Sequence, residues 1–394
     1  MQEPFLFHAP ARLVDFMRQA DQPGLINFAA GVPALDALPF AALREAAERA
    51  LATDGASMFA YHHPEGDHAL RALLAQRLAA RGVADVAPGR LITTTGCTQA
   101  LQALISVLVK PGDLVACEAP AYYGLMEVIA EAGARVLPLP VTSGSGIDLD
   151  ATEEALTRWK PRCLVVCTSL SNPSGATLPE SNRERLVRIC RATGVRLIED
   201  DIYAELIDSG APKPCRAFDD GSTVSFVTSF SKTVSPGLRV GYCLPGTPEL
   251  DDAFAARKCQ QDMHSSVVSE VLLRTFLEGG CLEPHLAWLH ERNLRRRGLV
   301  LDAIGRSFPE GTEVDAPWGG YMLWVRLPDG VDLMKAQSQA RAAGVVFAAG
   351  SAFFAAPAGA KCPPPHMRLN CARAAEPDLE RGMEILGKIV SALA

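Results

Sequence analysis

The sequence predicts an α/β protein: a large, doubly wound, mostly parallel sheet of about seven strands, with a smaller α+β unit packed on it. Three observations carry that expectation. Between residues 91 and 244, short β-branched apolar runs alternate with helical stretches. Beyond residue 244 the alternation gives way to long helices and isolated strand-like runs. Polar residues follow the ends of successive apolar runs, which is where an open α/β sheet presents its ligand site.

Taken in order, residues 11–18 read as a short helix and 25–30 as an extended piece before the turn Gly31-Val32-Pro33. Residues 39–53 form an amphipathic helix with Leu43, Ala46, Ala47, Ala50 and Leu51 on one face. A polar loop, 59–66, carries Tyr61, His62 and His63, and Asp67 caps the helix that runs to Arg81. Strands are expected at 91–95, 114–118, 134–140, 163–168, 196–199, 223–228 and 240–244. The helices between them fall at 100–109, 122–132, 149–159 and 179–193. Residues 251–278 read as one long helix. The next helix, 285–304, carries Arg292, Arg295, Arg296 and Arg297, read as a solvated face. Strands at 319–326, 345–347 and 367–370 and a helix at 378–393 close the chain. The expected division is an N-terminal segment 1–45, a large unit 46–275 and a small unit 276–394.

With 394 residues and 48% apolar composition, the chain can bury a sizeable core. Its net charge of −7 gives no electrostatic footprint for nucleic acid or an anionic membrane. No apolar run reaches the ~18 residues of a membrane span, and the N-terminus lacks a signal-peptide pattern, so a cytoplasmic protein is expected. The eleven cysteines are odd in number, form no CxxC pair and fall partly within apolar runs. That fits buried free thiols in a reducing compartment, not disulfides or a metal site.

The chemistry centres on Lys232. It follows an apolar run and sits among Ser229, Ser231 and Arg239. A lysine at a strand end can form a Schiff base with an aldehyde, and the hydroxyls and guanidinium suit a phosphate. Aldehyde plus phosphate suggests pyridoxal 5′-phosphate (PLP); a surface lysine beside a serine-rich turn is the plainer alternative. The other strand ends deliver Gly96-Cys97-Thr98 at a helix start, Pro120-Ala121-Tyr122, Ser171-Asn172-Pro173-Ser174-Gly175 and Asp200-Asp201-Ile202-Tyr203.

On these motifs, together with Tyr61-x3-Glu65-Gly66 and Arg368-Leu369, the chain resembles the fold-type-I PLP enzymes of the class I/II aminotransferase family. Within it, the chain is similar to the branch of 2-aminoadipate and kynurenine aminotransferases and MocR-type aminotransferase-like domains. The resemblance implies the PLP-dependent transferase fold and a ping-pong transfer from an L-amino acid to a 2-oxo acid such as 2-oxoglutarate. It implies Lys232 as the PLP lysine, Asp200 on the pyridine nitrogen, and Tyr203 and Asn172 on the ring oxygen. It places Tyr122 on the ring face, with Tyr123 as the alternative. Gly96, Cys97, Thr98, Ser229, Ser231, Arg239 and Tyr61 go to the phosphate, with Tyr61 reaching across from a second subunit of a homodimer. Arg368 would grip the substrate carboxylate, with Gly31, Asn172 and Tyr61 beside the substrate. Two departures bear on the substrate: Val14 stands where aminoadipate-type relatives can carry an arginine, with Arg12 near it, and His62-His63 replaces small hydroxyl residues. Lyase, decarboxylase or oxidase chemistry on the same fold is one alternative. A non-catalytic sensing domain is another, disfavoured because little chain precedes residue 9.

Overall fold

The computed structural model describes residues 3–6, 24–84, 86–355 and 364–394. Seven strands form the main sheet: β1 (Ile92–Thr94), β2 (Leu114–Ala119), β3 (Arg135–Thr142), β4 (Cys163–Cys167), β5 (Arg196–Asp200), β6 (Val224–Ser229) and β7 (Gly241–Leu244). Their order is β3-β2-β4-β5-β6-β7-β1, parallel throughout except for β7, which runs against both neighbours. The sheet has nine strands, not seven. Phe5–Leu6 and Gly146–Ile147 each add a two-residue antiparallel piece to β3, too short to show a period in the sequence.

Parallel strands need crossovers, and helices supply them on both faces. The helices are α1 (Phe40–Thr53), α2 (His68–Ala80), α3 (Cys97–Leu108), α4 (Tyr123–Glu131), α5 (Leu149–Trp159) and α6 (Glu180–Thr193). As expected of strands covered on both sides, β2, β4 and β5 are buried along nearly their whole length instead of alternating. Asp67 does cap α2, accepting from the Leu70 N–H at 2.7 Å. Register aligns the C-terminal ends of the strands: Cys167 pairs with Asp200 and Asp200 with Val227. The polar residues that follow therefore emerge along one edge of the sheet.

The stretch 251–278 is not one helix. It forms α7 (Pro248–Asp262) and α8 (Val267–Glu278), broken where Met263 takes a left-handed φ of 60° and Ser266 caps α8 through the Ser269 N–H. Asp262 at the break is drawn inward, taking Lys258 Nζ at 3.1 Å and Gln99 Nε2 at 2.6 Å.

The smaller unit holds α9 (Leu282–Ser307), α10 (Leu333–Ala342), α11 (Glu376–Ser391) and an antiparallel sheet. Its strands, β8 (Glu313–Val314), β9 (Met322–Arg326), β10 (Ala348–Ala349) and β11 (His366–Asn370), lie in the order β8-β9-β11-β10. The arginine cluster on α9 is only partly solvated. Arg296 and Arg297 are buried and donate to backbone carbonyls, Arg296 Nε to Cys371 at 2.8 Å and Arg297 Nη1 to Gly320 at 2.6 Å. Arg297 also pairs with Asp208. Burial of those two follows from tertiary carbonyl partners, which a charge count does not reveal.

An N-terminal strap completes this unit. Ile26–Asn27 pairs in parallel with Val345–Val346, and the Asn370 N–H donates to the Phe28 carbonyl at 2.8 Å. The ten cysteines among the described residues are unpaired, and burial pushes the Cys117 and Cys163 thiols up to about 12. Cys362 lies outside the described residues. Among the described residues no helix is long and apolar enough to cross a membrane.

Candidate active site

The floor of the site is built by β5 and β6. Asp200 closes β5, with Oδ1 accepting from the Ile202 N–H at 3.3 Å. Burial pushes its carboxyl up to about 7, with the charge of Asp201 adding to the effect and the Ile202 N–H and Lys232 opposing it. Asp201 faces away, as successive strand residues must. It is buried, paired with Arg81 Nη2 at 2.6 Å and accepting from Ser169 Oγ at 2.6 Å. The structure thus separates two neighbouring carboxylates that the sequence alone leaves interchangeable.

Beyond β6 the chain makes one turn, closed by the Val234 N–H on the Phe230 carbonyl at 2.9 Å, and Lys232 projects from it. Lys232 Nζ donates to the Gly31 carbonyl at 2.8 Å and stands 5.8 Å from the centre of the buried Tyr203 ring. Burial lowers its pKa to about 8, and the positive charge of Arg368 acts in the same direction.

The turn after β4 brings Asn172 to the same place. The Gly175 N–H closes it on the Ser171 carbonyl at 2.6 Å, and Asn172 Oδ1 accepts from Arg368 Nη1 at 2.8 Å. Arg368, on β11, is fully buried. It also donates to the Ala29 carbonyl, and its Cζ lies 4.9 Å from the centre of the Phe353 ring. Its Nε has no partner among the described residues. Gly31 sits against this guanidinium, and a Cβ there would lie 3.2 Å from Nη1. Tyr122 precedes α4 and is half-buried, with a ring that leaves room only for glycine at 124. Tyr123 is buried and packs on Phe353 with centroids 5.5 Å apart.

The other end of the site is a cradle of donors. Gly96, at φ +81°, leads into α3, so the first-turn N–H groups at Cys97 and Thr98 lie at a helix N-terminus. A Cβ at Gly96 would stand 2.6 Å from Arg239 Nη2. Arg239 donates to the Thr95 carbonyl at 3.0 Å and lies 3.5 Å from Ser231 Oγ. Ser229 Oγ accepts from the Ser231 N–H at 3.1 Å. A cleft of about 650 Å³ opens here, bordered by Thr95, Thr98, Gln99, Arg239 and Asp262.

Lys232, Asp200, Tyr203, Asn172 and Arg368 therefore come together, with Ser229, Ser231, Arg239, Gly96, Cys97 and Thr98 forming the adjoining cradle. Tyr61 does not join them: it is 82% exposed, with its ring edge-on to His264 at 5.6 Å. His62 is half-buried and His63 exposed in the same loop. Val14 and Arg12 lie outside the described residues. A helix N-terminus with an arginine and two serines fits a phosphate, and a buried carboxyl with a lysine nearby fits a pyridine aldehyde. The residues present thus suit PLP.

The family model for class I and II aminotransferases matches residues 23–386. The chain belongs to the class I and II aminotransferases. It is a transaminase, and its cofactor is PLP. It is 31% identical to the 2-aminoadipate transaminase of Thermus thermophilus over 96% of this chain and 93% of that one. It is 28% identical to aromatic-amino-acid aminotransferase 1 of Thermococcus litoralis, covering 86% of this chain and 83% of the relative. Among solved structures it superposes on the kynurenine aminotransferase of Pyrococcus horikoshii, in complex with PMP, with a TM-score of 0.90. That pair is 26% identical and covers 98% of this chain and 95% of the other.

Sequence reading missed Phe353, Glu118 and the Ala29 carbonyl. Phe353 and Ala29 have no local signature, since their place depends on contacts with β11. Glu118 did leave a signal, a carboxylate inside an otherwise apolar strand.

Proposed function

We propose that Lys232 carries the cofactor and that the surrounding side chains run transamination between an aromatic or large neutral L-amino acid and 2-oxoglutarate. The observation that carries this reading is the convergence of Lys232, Asp200 and Arg368 at the ends of strands from both sheets. Bound PLP draws electrons away from the α-carbon of the substrate. Asp200 supplies the carboxylate that holds a proton on the pyridine nitrogen. Tyr203 and Asn172 donate to the ring oxygen, while Tyr122 covers the ring face. Arg368 turns its two Nη groups to the substrate α-carboxylate, exchanging the Ala29 carbonyl for it. With the cofactor bound, Lys232 would move the α-proton; burial lowers its pKa to about 8 in the cofactor-free protein, toward the range of a base near neutral pH.

Phe353, Tyr122 and Tyr123 support an apolar side-chain pocket, because burying a second carboxylate against them without a partner is costly. The solved kynurenine aminotransferase and the aromatic-amino-acid relative point the same way, and the 2-aminoadipate relative points to a longer dicarboxylate.

The active unit is read as a homodimer in which Tyr61 serves the neighbour's phosphate. What supports this is the exposure of Tyr61 together with Phe40, Leu51, Phe59 and Met263, apolar side chains that a partner would cover. The division at residues 45 and 275 and a cytoplasmic location belong to the same reading, the latter supported by the unpaired thiols.

The test is a donor screen with 2-oxoglutarate, following glutamate formation. Phenylalanine and leucine are expected to give a higher kcat/KM than 2-aminoadipate at both pH 6 and pH 8. A preference for 2-aminoadipate that holds across that range would sink the donor assignment and point to a fixed cation in the pocket.

A further inference from the structure

One carboxyl beside the site has no task in the reaction as described. Glu118 is the fifth residue of β2, only 3% exposed, in a strand whose other buried members are Leu114, Val115, Ala116 and Cys117. Leucine or valine would fill such a position at no polar cost, whereas a buried carboxyl needs a reason. Its Oε1 accepts from Ser171 Oγ at 2.6 Å. Its Oε2 has no partner among the described residues.

Ser171 is the hinge of the adjoining turn. Its N–H donates to the Ala176 carbonyl at 2.8 Å, its carbonyl accepts from the Gly175 N–H at 2.6 Å, and its hydroxyl is held by Glu118. The next residue, Asn172, commits Oδ1 to Arg368 at 2.8 Å. An unbroken line of contacts runs from Glu118 through Ser171 and Asn172 to Arg368, joining β2 of the large sheet to β11 of the small one.

We propose that Glu118 is a positioning residue: by anchoring the Ser171 hydroxyl it fixes the turn that aims Asn172, and through Asn172 it sets the direction of the Arg368 guanidinium. This rests on the roles read above for Asn172 and Arg368. The charge state agrees with that task. Burial pushes the Glu118 carboxyl up to about 8, against the pull of Ser171 and the Cys167 N–H, and Asp200 adds to the rise. Near pH 7 the group is predominantly neutral, so it anchors the turn without placing a second anion beside Asp200.

The test compares Glu118→Gln, Glu118→Leu, Ser171→Ala and the Glu118→Leu/Ser171→Ala pair in the holoenzyme. Three quantities are read: the visible absorption of protein-bound PLP, the dissociation constant of PLP from the apoprotein, and KM separately from kcat. Gln keeps an acceptor for Ser171 and should stay within about threefold of the parent in all three. Leu should raise KM for the amino donor roughly 10- to 100-fold and shift the absorption. Ser171→Ala should do the same, and the pair should be no worse than either single change, because both cut one line.

The proposal fails if Glu118→Leu keeps the parent's spectrum and KM, if the two changes add independently, or if Gln is as damaging as Leu. Should Glu118→Leu not fold, Ser171→Ala alone decides, and parent-like values there overturn the idea. Asn172→Ala separates the two layers. If Asn172→Ala has no effect, the role read for Asn172 is wrong. If it is damaging while Glu118→Leu and Ser171→Ala are silent, only the anchoring is wrong.

Discussion

Arg368 and Arg239 act on the same lysine, since both depress the pKa of Lys232, yet the protein holds them in opposite ways. Arg368 is fully buried, hydrogen-bonded to Asn172 and Ala29 and packed on Phe353. Arg239 is exposed, in a left-handed backbone conformation at the lip of a cleft, and two of its contacts are backbone carbonyls, at Thr95 and Pro236. One guanidinium is fixed before a ligand arrives; the other borders solvent. On the roles proposed for them, the fixed guanidinium would discriminate among substrates, while the open one would admit a doubly charged phosphate.

The strongest way to break this picture is at the lysine between the two regions. Lys232→Ala should lose transamination by at least about 10⁴-fold and should no longer retain PLP after borohydride treatment. PLP fixed by borohydride in that variant would move the assignment elsewhere.

Next comes the contrast itself. Arg368→Ala should cut kcat/KM roughly 10²- to 10⁴-fold for every amino acid, because it removes a buried charge-assisted pair, while PLP affinity changes by only a few fold. Arg239→Ala should weaken PLP binding about 10- to 100-fold, with most of the lost activity recovered at excess PLP. If the two variants exchange these phenotypes, the fixed and open ends have been assigned the wrong way round.

The open end can also be sharpened by subunit mixing. Inactive Lys232→Ala protein combined with Tyr61→Phe protein should regain activity, because one of the two sites in a hybrid dimer then holds both intact groups. At limiting PLP, where Arg239→Ala is itself inactive, Lys232→Ala mixed with Arg239→Ala should regain none. No recovery in the first mixture would place Tyr61 in its own subunit's site, and recovery in the second would mean that Arg239 and Lys232 come from different subunits.

A smaller effect concerns the buried end. Asp200 ionises near 7 in the folded cofactor-free protein but near the ordinary aspartate value when unfolded. Between those values the unfolded state releases its proton first, so this group costs stability progressively as pH rises from about 4 to about 7. Asp200→Asn removes that cost. The Tm of the cofactor-free variant relative to the parent should therefore climb over this range and level off above it. A difference independent of pH would mean that Asp200 is solvated and ordinary.

The same contrast explains what was legible in the sequence. Asp200, Asn172 and Lys232 stand just past apolar runs, and parallel register brings such positions together, so their grouping could be inferred from spacing. The family resemblance selects Asp200 over Asp201; the physical reason, the pairing of Asp201 with Arg81 about 120 positions away, lies beyond any local pattern. Arg296 and Arg297 read as surface charges because their carbonyl partners at Cys371 and Gly320 come from other elements. The break at Met263 did leave a signal, since His264-Ser265-Ser266 are weak helix formers and Ser266 is a natural cap, whereas the pull of Lys258 and Gln99 on Asp262 is tertiary. Tyr61, named from the resemblance, is exposed in the single chain, and the role proposed for it depends on a second subunit.

The N-terminal strap has a consequence in time. Ala29 is joined to Arg368 across 339 positions, and Ala30 to Asn370 across 340. During synthesis the strap emerges early, but the strand that receives it appears near the end of the chain. At about 5–20 residues per second, the strap waits roughly 20–70 seconds for its partner. The seven strands of the main sheet are complete long before then. A ribosome-bound chain stalled after residue 300 should therefore show a protease-resistant large sheet while residues 24–32 remain open to cleavage.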